Sequence, residues 1–143
     1  MQKTEVKIKL LDWNSVMPTY AKEGDAGMDM TVTKVIKKSL FRIEYGFGIA
    51  MQPPQGTFVD LRPRSSIWKT RMLLSNSCGT GDAGYTGEYK AVFWKLPFIS
   101  NPYKVGERAL QMVLKKFEQV QFVEVYKLEQ TERGSNGYGH TGK

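Results

Sequence analysis

Hydrophobic and polar side chains alternate along much of this chain, and this period of two predicts β-strands. In FRIEYGFGIAM, residues 41–51, every second residue from Phe41 to Met51 is apolar or aromatic, and the residues between them are polar or small. The same alternation occurs in TFVDLR (57–62), EYKAVFWKL (88–96) and QFVEVYKL (121–128). All four segments are therefore predicted strands.

Turn-forming residues separate these predicted strands. Glycine, proline and aspartate are concentrated in the segments KEGDAG, QPPQG, GTGDAGYTGE and NPYKVGE. The pattern predicts only one short helical turn, SSIWKTRM at residues 65–72. Short strands joined by such turns predict an all-β sandwich or barrel.

Length and composition predict one ordinary globular domain. The chain has 143 residues, of which 41% are hydrophobic and 24% are charged. Neither a signal peptide nor a membrane span is predicted, because charged residues, glycine and proline interrupt every apolar run. The single cysteine, Cys78, cannot form an internal disulfide, which fits a reducing compartment such as the cytoplasm.

The net charge of +7 favours anionic partners. Nucleic acid, nucleotides and anionic surfaces all belong to that class. The basic residues are scattered rather than clustered, however, and this argues against a nucleic-acid-binding stripe.

A glycine-rich loop, NSCGTGDAGYTGEY at residues 76–89, is the first candidate site. It places Asp82 and Tyr85 among four glycines, and glycine lets a backbone turn tightly and approach a ligand closely. A simple hairpin loop with a capping aspartate is the alternative.

A second candidate is RPRSSIWK, residues 62–69, where Arg64 lies beside Ser65 and Ser66 at the end of a predicted strand. Arginines, hydroxyls and backbone N–H groups at a turn can hold phosphate. A capped helical turn with solvated arginines is the alternative.

A third candidate is GERALQMVL, residues 106–114, in which Gly106 turns the chain before a predicted strand. Arg108 and Gln111 are polar residues within this apolar stretch. Buried polar groups need partners, so both side chains have either a structural partner or a ligand.

The last eleven residues, RGSNGYGHTGK, contain no aliphatic side chain and cannot build a core. They are either a disordered tail or an arm that is mobile when free and folds over a ligand.

Five segments, taken in order, resemble the five motifs of the trimeric dUTP pyrophosphatases. They are DAGMDM (25–30), PRSSIWK (63–69), GTGDAGYTGE (79–88), GERALQM (106–112) and RGSNGYGHTG (133–142). The resemblance implies a jelly-roll-like β-sandwich over residues 1–132 and a mobile arm over residues 133–143 that closes the active site. It also implies a homotrimer in which motifs from different subunits build each site.

The resemblance implies that the chain hydrolyses dUTP to dUMP and pyrophosphate. This reaction limits uracil incorporation into DNA and supplies dUMP for thymidylate synthesis. Asp82 matches the general base that activates the attacking water. The implied cofactor is Mg²⁺, held mainly by the substrate phosphates, with Asp29 acting on it indirectly through water.

The remaining matches are to substrate-binding positions. The family's phosphate-binding positions fall on Arg64, Ser65, Ser66, Gln111, Arg133, Gly139, His140 and Thr141. Uracil positions are matched by Asn76, Gly79 and the stacking Tyr138, and Tyr85 matches the tyrosine that packs under the deoxyribose.

The chain departs from the family pattern at five positions. Gly81 stands where the family prefers an aliphatic residue, Met28 replaces a tyrosine, Ser66 and Asn136 each replace a glycine, and His140 replaces a serine. None of these changes removes a main catalytic group.

Three other functions remain open on the sequence. One is a dCTP deaminase-like enzyme of the same fold, and another is a regulatory role in which the chain binds a protein partner, as some phage-encoded members do. The third is a small barrel that binds single-stranded nucleic acid. The sequence argues against a zinc deaminase, since one cysteine and one histidine cannot supply the metal ligands.

Overall fold

The computed structural model describes residues 3–135 and 137, and this part of the chain is almost entirely β-structure. The strands are β1 (Lys7–Leu10), β2 (Thr19–Tyr20), β3 (Met28–Thr31), β4 (Lys34–Lys38), β5 (Arg42–Gly46), β6 (Ile49–Gln52), β7 (Thr57–Pro63), β8 (Met72–Leu74), β9 (Gly79–Asp82), β10 (Lys90–Lys95) and β11 (Arg108–Lys116). A 3₁₀ helix at Ser65–Thr70 connects β7 to β8. No helix among the described residues is long and apolar enough to cross a membrane.

The strands form two larger antiparallel sheets and one small one. The four-stranded sheet has the order β4-β5-β10-β8, and the five-stranded sheet has the order β2-β3-β11-β7-β9. Strands β1 and β6 make a separate pair. Both larger sheets contribute buried side chains to a single hydrophobic cluster, including Met30, Tyr45, Phe93 and Leu110. The predicted all-β, jelly-roll-like sandwich is confirmed.

Strand β11 fixes the register of the five-stranded sheet. Gln111 lies opposite Asp29 of β3 on one side and opposite Arg62 of β7 on the other. Its neighbours Leu110 and Met112 are buried in the core. Because side chains alternate along a strand, Gln111 projects from the opposite, outward face of the sheet.

Most predicted elements agree with the structure. TFVDLR lies in β7, the core of EYKAVFWKL forms β10, and the strand predicted after Gly106 is β11. The predicted helical turn is the 3₁₀ helix. Residues 41–51, in contrast, form two strands in different sheets, because the chain turns at Gly48, whose φ is +62°.

The strand predicted at 121–128 is wrong, since these residues form no strand. Their apolar side chains are exposed, with Phe122 at 92% and Leu128 at 80%. A strand requires a hydrogen-bonding neighbour as well as an alternating pattern. The described part of one chain provides no such neighbour here.

Two glycines with positive φ differ in the space around them, and this gives a matched test of packing. A Cβ at Gly48 would lie 2.4 Å from the Ser15 Oγ and 2.9 Å from the Asp12 Oδ2, whereas a Cβ at Gly56 would meet nothing within 4 Å. We expect both alanine substitutions to cost about 1–2 kcal/mol of backbone strain. Gly48→Ala should cost about 1–3 kcal/mol more, because it also overpacks its site. Urea denaturation at one protein concentration measures both losses, and equal losses would contradict the packing argument.

Candidate active site

A buried carboxylate gathers several basic and polar side chains on the outward face of the five-stranded sheet. Arg64 donates from Nε to the Asp29 Oδ1 at 2.8 Å, and Arg108 donates from its Nη1 to Oδ2 at 2.9 Å. Gln111 donates from Nε2 to Oδ1 at 3.4 Å. The side chain of Asp29 is only 8% exposed, so these contacts hold two guanidinium groups and an amide at one place. We name these four residues the arginine cluster.

The fold explains how the arginine cluster forms from distant parts of the chain. Asp29 and Gln111 face each other in the β3–β11 register. Arg64 follows the last residue of β7 directly and precedes the 3₁₀ helix. Arg108 begins β11, where an irregularity in the pairing with β3 separates it from Leu110. Three neighbouring strands therefore bring the cluster together.

Sequence reasoning noted Arg108 as a polar residue in an apolar stretch but assigned it no site role. The structure pairs it with Asp29. Arg108 is 54% exposed, so the rule that buried polar groups need partners does not by itself demand one for it. The identity of that partner depends on the register, which the sequence pattern does not supply.

The two serines after Arg64 open the 3₁₀ helix, where Ser65 is exposed and Ser66 is half-buried. Tyr103 lies close enough for the charge of Arg64 to act on its hydroxyl. Burial raises the pKa of Tyr103, and the Arg64 guanidinium opposes that rise. A cationic, partly exposed surface with hydroxyls beside it suits an anion such as phosphate.

A separate pocket of about 310 Å³ lies between β8, β9 and β10. Asn76 and Gly79 line it together, as do Leu74 and Ala91. A Cβ at Gly79 would lie 3.4 Å from the Asn76 Nδ2, so the glycine lets the amide approach the backbone. The volume falls within the range of small-ligand sites.

The loop after β9 carries Asp82 and Tyr85. Asp82 is exposed at the last residue of β9, and its carbonyl accepts a hydrogen bond from the Tyr85 N–H at 3.0 Å. The Tyr85 hydroxyl donates to the Glu88 carbonyl at 2.7 Å. The loop is not a simple hairpin, because β9 belongs to the five-stranded sheet and β10 to the four-stranded sheet.

Asp82 and the arginine cluster are well separated within one chain. Asp82 lies opposite Phe58, whereas Gln111 lies opposite Arg62, four residues further along β7. Four residues along the strand and two strand spacings across the sheet place the Cα positions of Asp82 and Gln111 about 16 Å apart. The structure thus brings Asp29, Arg64 and Gln111 together and Asn76 with Gly79, but it does not bring Asp82 to the arginines.

The remaining predicted residues lie in the last segment. Arg133 is exposed, beside a turn in which the Gly134 N–H donates to the Thr131 carbonyl at 3.1 Å. Tyr138, Gly139, His140 and Thr141 lie outside the residues that the structure describes.

Metal binding directly to Asp29 does not fit the contacts. Both carboxylate oxygens accept hydrogen bonds, including a longer one of 3.4 Å from the Arg64 Nη2. Within residues 3–135 and 137, no group of three histidine, cysteine, aspartate or glutamate side chains is placed to hold a metal ion.

The model of the dUTPase family matches residues 14–142. The deoxyuridine 5'-triphosphate nucleotidohydrolase of Fusobacterium nucleatum is 39% identical over 147 aligned residues, which cover 100% of both chains. The corresponding protein of Clostridium kluyveri is 40% identical, over 96% of this chain and 98% of its own.

Solved structures with a similar fold come from phage. The dUTPase of Staphylococcus bacteriophage 80alpha with dUpNHpp has a TM-score of 0.83 at 23% identity and covers 99% of this chain and 100% of its own. A mutant dUTPase of phage phi11 of S. aureus, which coordinates a structural Mg(II) ion, has a TM-score of 0.74 at 20% identity over 88% of this chain and 99% of its own. At these identities the likeness establishes the fold.

Two similarly exposed arginines allow a matched test of the arginine cluster. Arg108 is 54% exposed and pairs with Asp29, while Arg62 is 53% exposed and pairs with Asp60. We expect Arg108→Gln to weaken binding of inorganic triphosphate about tenfold, as for loss of one charge-assisted hydrogen bond. Arg62→Gln should change it less than about twofold. Calorimetric titration measures both, and equal weakening would mean that net charge alone attracts the anion.

Proposed function

This chain belongs to the dUTPase family, and we propose that it hydrolyses dUTP to dUMP and pyrophosphate. The support is the family match over nearly the whole chain, together with relatives of that activity at 39–40% identity. The observation that carries the proposal is a cationic cluster suited to a polyphosphate, combined with an exposed aspartate at the end of β9, the strand whose first residue lines a pocket of about 310 Å³. Such an activity would keep uracil out of DNA and supply dUMP, and it belongs in the cytoplasm.

Asp82 is the proposed general base. Its carboxylate is exposed at a strand end, where it can take a proton from a water molecule. The oxygen of that water attacks the α-phosphorus, the bond from phosphorus to the α–β bridging oxygen breaks, and pyrophosphate leaves. A positioned base contributes about 10²–10⁴-fold to the rate.

The arginine cluster is the proposed phosphate site. Arg64 with Ser65 and Ser66 would hold the outer phosphates, and Gln111 would lie near the α-phosphate. Asp29 orients Arg64 and Arg108 through the hydrogen bonds described above. Preorganised cations of this kind stabilise the charge that develops on a transferring phosphoryl group.

The pocket at Asn76 and Gly79 is the proposed uracil site. An amide side chain can rotate and so would accept either uracil or cytosine. The fixed backbone groups around Gly79 would therefore set the donor and acceptor pattern. Tyr85 would pack under the sugar and leave no room for a ribose hydroxyl.

The proposed assembly is a homotrimer with shared sites. Its support is the family match, together with a separation of about 16 Å between the Cα positions of Asp82 and Gln111 within one chain. A second copy would bring its Asp82 to the arginine cluster of the first. The arm of another copy, with Arg133, Gly139, His140 and Thr141 at the phosphates and Tyr138 stacked on uracil, would close the site.

Mg²⁺ is the proposed cofactor. The ion would be held by the substrate phosphates, and the Asp29 side chain would contact its water shell. When bound, it neutralises charge on the triphosphate.

We expect Asp82→Asn to lower dUTP turnover by about 10²–10⁴-fold, because the amide cannot accept the proton. Glu23→Gln, at another exposed acidic residue, should leave turnover unchanged. Pyrophosphate release is followed with dUTP, dCTP, dTTP and UTP. Ammonia release from dCTP without pyrophosphate release from dUTP would instead support the deaminase alternative.

A chain ending at Glu132 should fold, since every described strand ends by Lys116. It should lose most turnover, because it lacks the arm proposed to close the site. Co-expression of this truncated chain with the full-length Asp82→Asn chain tests whether sites are shared. Mixed assemblies should regain turnover, because some sites would combine an intact Asp82 from one copy with an intact arm from another. An inactive mixture with proven mixed subunits would contradict the shared site, as would full turnover by the truncated chain alone.

Removal of divalent metal with EDTA should abolish dUTP turnover, and added Mg²⁺ should restore it. The urea midpoint without substrate should not move, because the described residues form no acidic metal cluster. A lower midpoint in EDTA would reveal a structural metal and contradict this assignment.

A further inference from the structure

Gly81, the residue before Asp82, lies directly against the ring of Tyr89. A Cβ at Gly81 would be 2.5 Å from the Tyr89 hydroxyl oxygen and 2.7 Å from its Cε1. These distances are shorter than real Cβ contacts, so any larger residue here would have to displace the ring. Glycine is required at this point by the space that the tyrosine occupies.

The ring of Tyr89 also supports Tyr85. The two rings pack edge to face with centroids 5.6 Å apart and an interplanar angle of 75°. Tyr85 in turn covers Gly87, where a Cβ would lie 2.7 Å from the Tyr85 hydroxyl oxygen. Each tyrosine thus packs where a glycine lacks a side chain. Tyr89 is the physical link between the strand end that carries Asp82 and the ring proposed to contact the sugar.

The hydroxyl of Tyr89 has no hydrogen-bond partner among the described residues, although the residue is only 2% exposed. Burial, followed by the nearby Tyr85 and Asp82, raises the pKa of Tyr89 to about 12, so the phenol stays neutral at ordinary pH. A buried hydroxyl without a partner costs stability. An aliphatic residue would fill the core here without that cost, so stability alone does not account for the tyrosine.

We infer that Tyr89 is a positioning residue: its ring, seated on Gly81, fixes Asp82 and Tyr85 relative to each other and thereby sets both turnover and the preference for deoxyribose. This inference rests on the dUTP hydrolysis proposed above. The contact also accounts for glycine at position 81, where the family prefers an aliphatic residue. The ring of Tyr89, which directly precedes β10, fills the space that an aliphatic side chain would take. The strand end that carries Asp82 is therefore packed against the Tyr89 ring in place of an aliphatic side chain.

Four variants separate the ring from the hydroxyl and test the coupling. Tyr89→Phe keeps the ring and should keep turnover within about twofold, with a urea midpoint equal to or above that of the parent. Tyr89→Leu removes the contact with Tyr85 and should lower kcat about tenfold. Gly81→Ala should lower kcat at least tenfold. The double variant Gly81→Ala with Tyr89→Leu should recover activity above Gly81→Ala alone, because leucine frees space for the new methyl group.

The preference for dUTP over UTP distinguishes positioning from simple packing. In Tyr89→Leu the ratio of kcat/KM for dUTP to that for UTP should fall about tenfold, because Tyr85 is no longer held. Phe93→Leu, at a fully buried aromatic in the core, should lower the urea midpoint and leave this ratio unchanged. All assays are run under conditions in which urea denaturation curves show that each variant is folded.

Each result has a distinct meaning. If Tyr89→Leu behaves like Phe93→Leu, with lower stability and an unchanged ratio, the residue is only a core residue and the inference is overturned. Loss of turnover in Tyr89→Phe would also overturn it, since the hydroxyl rather than the ring would then act. A parent chain that fails to hydrolyse dUTP would refute the proposed function first and this inference with it.

Discussion

The register of β11 is the constraint on which the rest of the site depends. This strand lies between β3 and β7 and buries Leu110 and Met112 in the core while it presents Gln111 outward. A slip of one residue would turn Gln111 inward and an apolar side chain outward. The hydrophobic pattern of the strand opposes such a slip. The same burial that stabilises the sandwich therefore places Gln111, Asp29 and the two arginines on one surface.

The site combines two kinds of rigidity. The arginine cluster is held by charge, because a nearly buried carboxylate fixes the guanidinium groups before any ligand arrives. The Asp82 loop is held by shape, with tyrosine rings packed against glycines. Preorganisation of both kinds lowers the ordering cost of binding. Within one chain the two parts lie apart on the five-stranded sheet.

The sequence predicted the elements that depend on local pattern. Strands β7, β10 and β11 and the short helix follow from alternation and from turn residues. Alternation reports which face a side chain occupies but not which sheet a strand joins. For this reason the break at Gly48 and the passage of the chain from β9 to β10 between sheets were not predicted.

The same distinction between local pattern and the arrangement of strands applies to the predictions about the site. Residues with characteristic chemistry in short motifs, such as Arg64 and Asp82, were predicted as site residues from the sequence by resemblance. The pairing of Arg108 with Asp29 joins distant parts of the chain, and the packing of Tyr89 on Gly81 crosses a loop between two sheets. The alternating pattern predicts neither contact. Both depend on strand register and ring orientation, which only the folded chain defines.

The segment 121–128 has a consequence for the solubility of the chain. It is patterned as a strand, exposes Phe122 and Leu128, and is unpaired within the described chain. Segments of this kind are templates for indiscriminate aggregation. Glu124 and Lys127 interrupt its apolar side chains, as gatekeeper charges do in natural sequences. These two charges oppose random self-association of the exposed apolar segment.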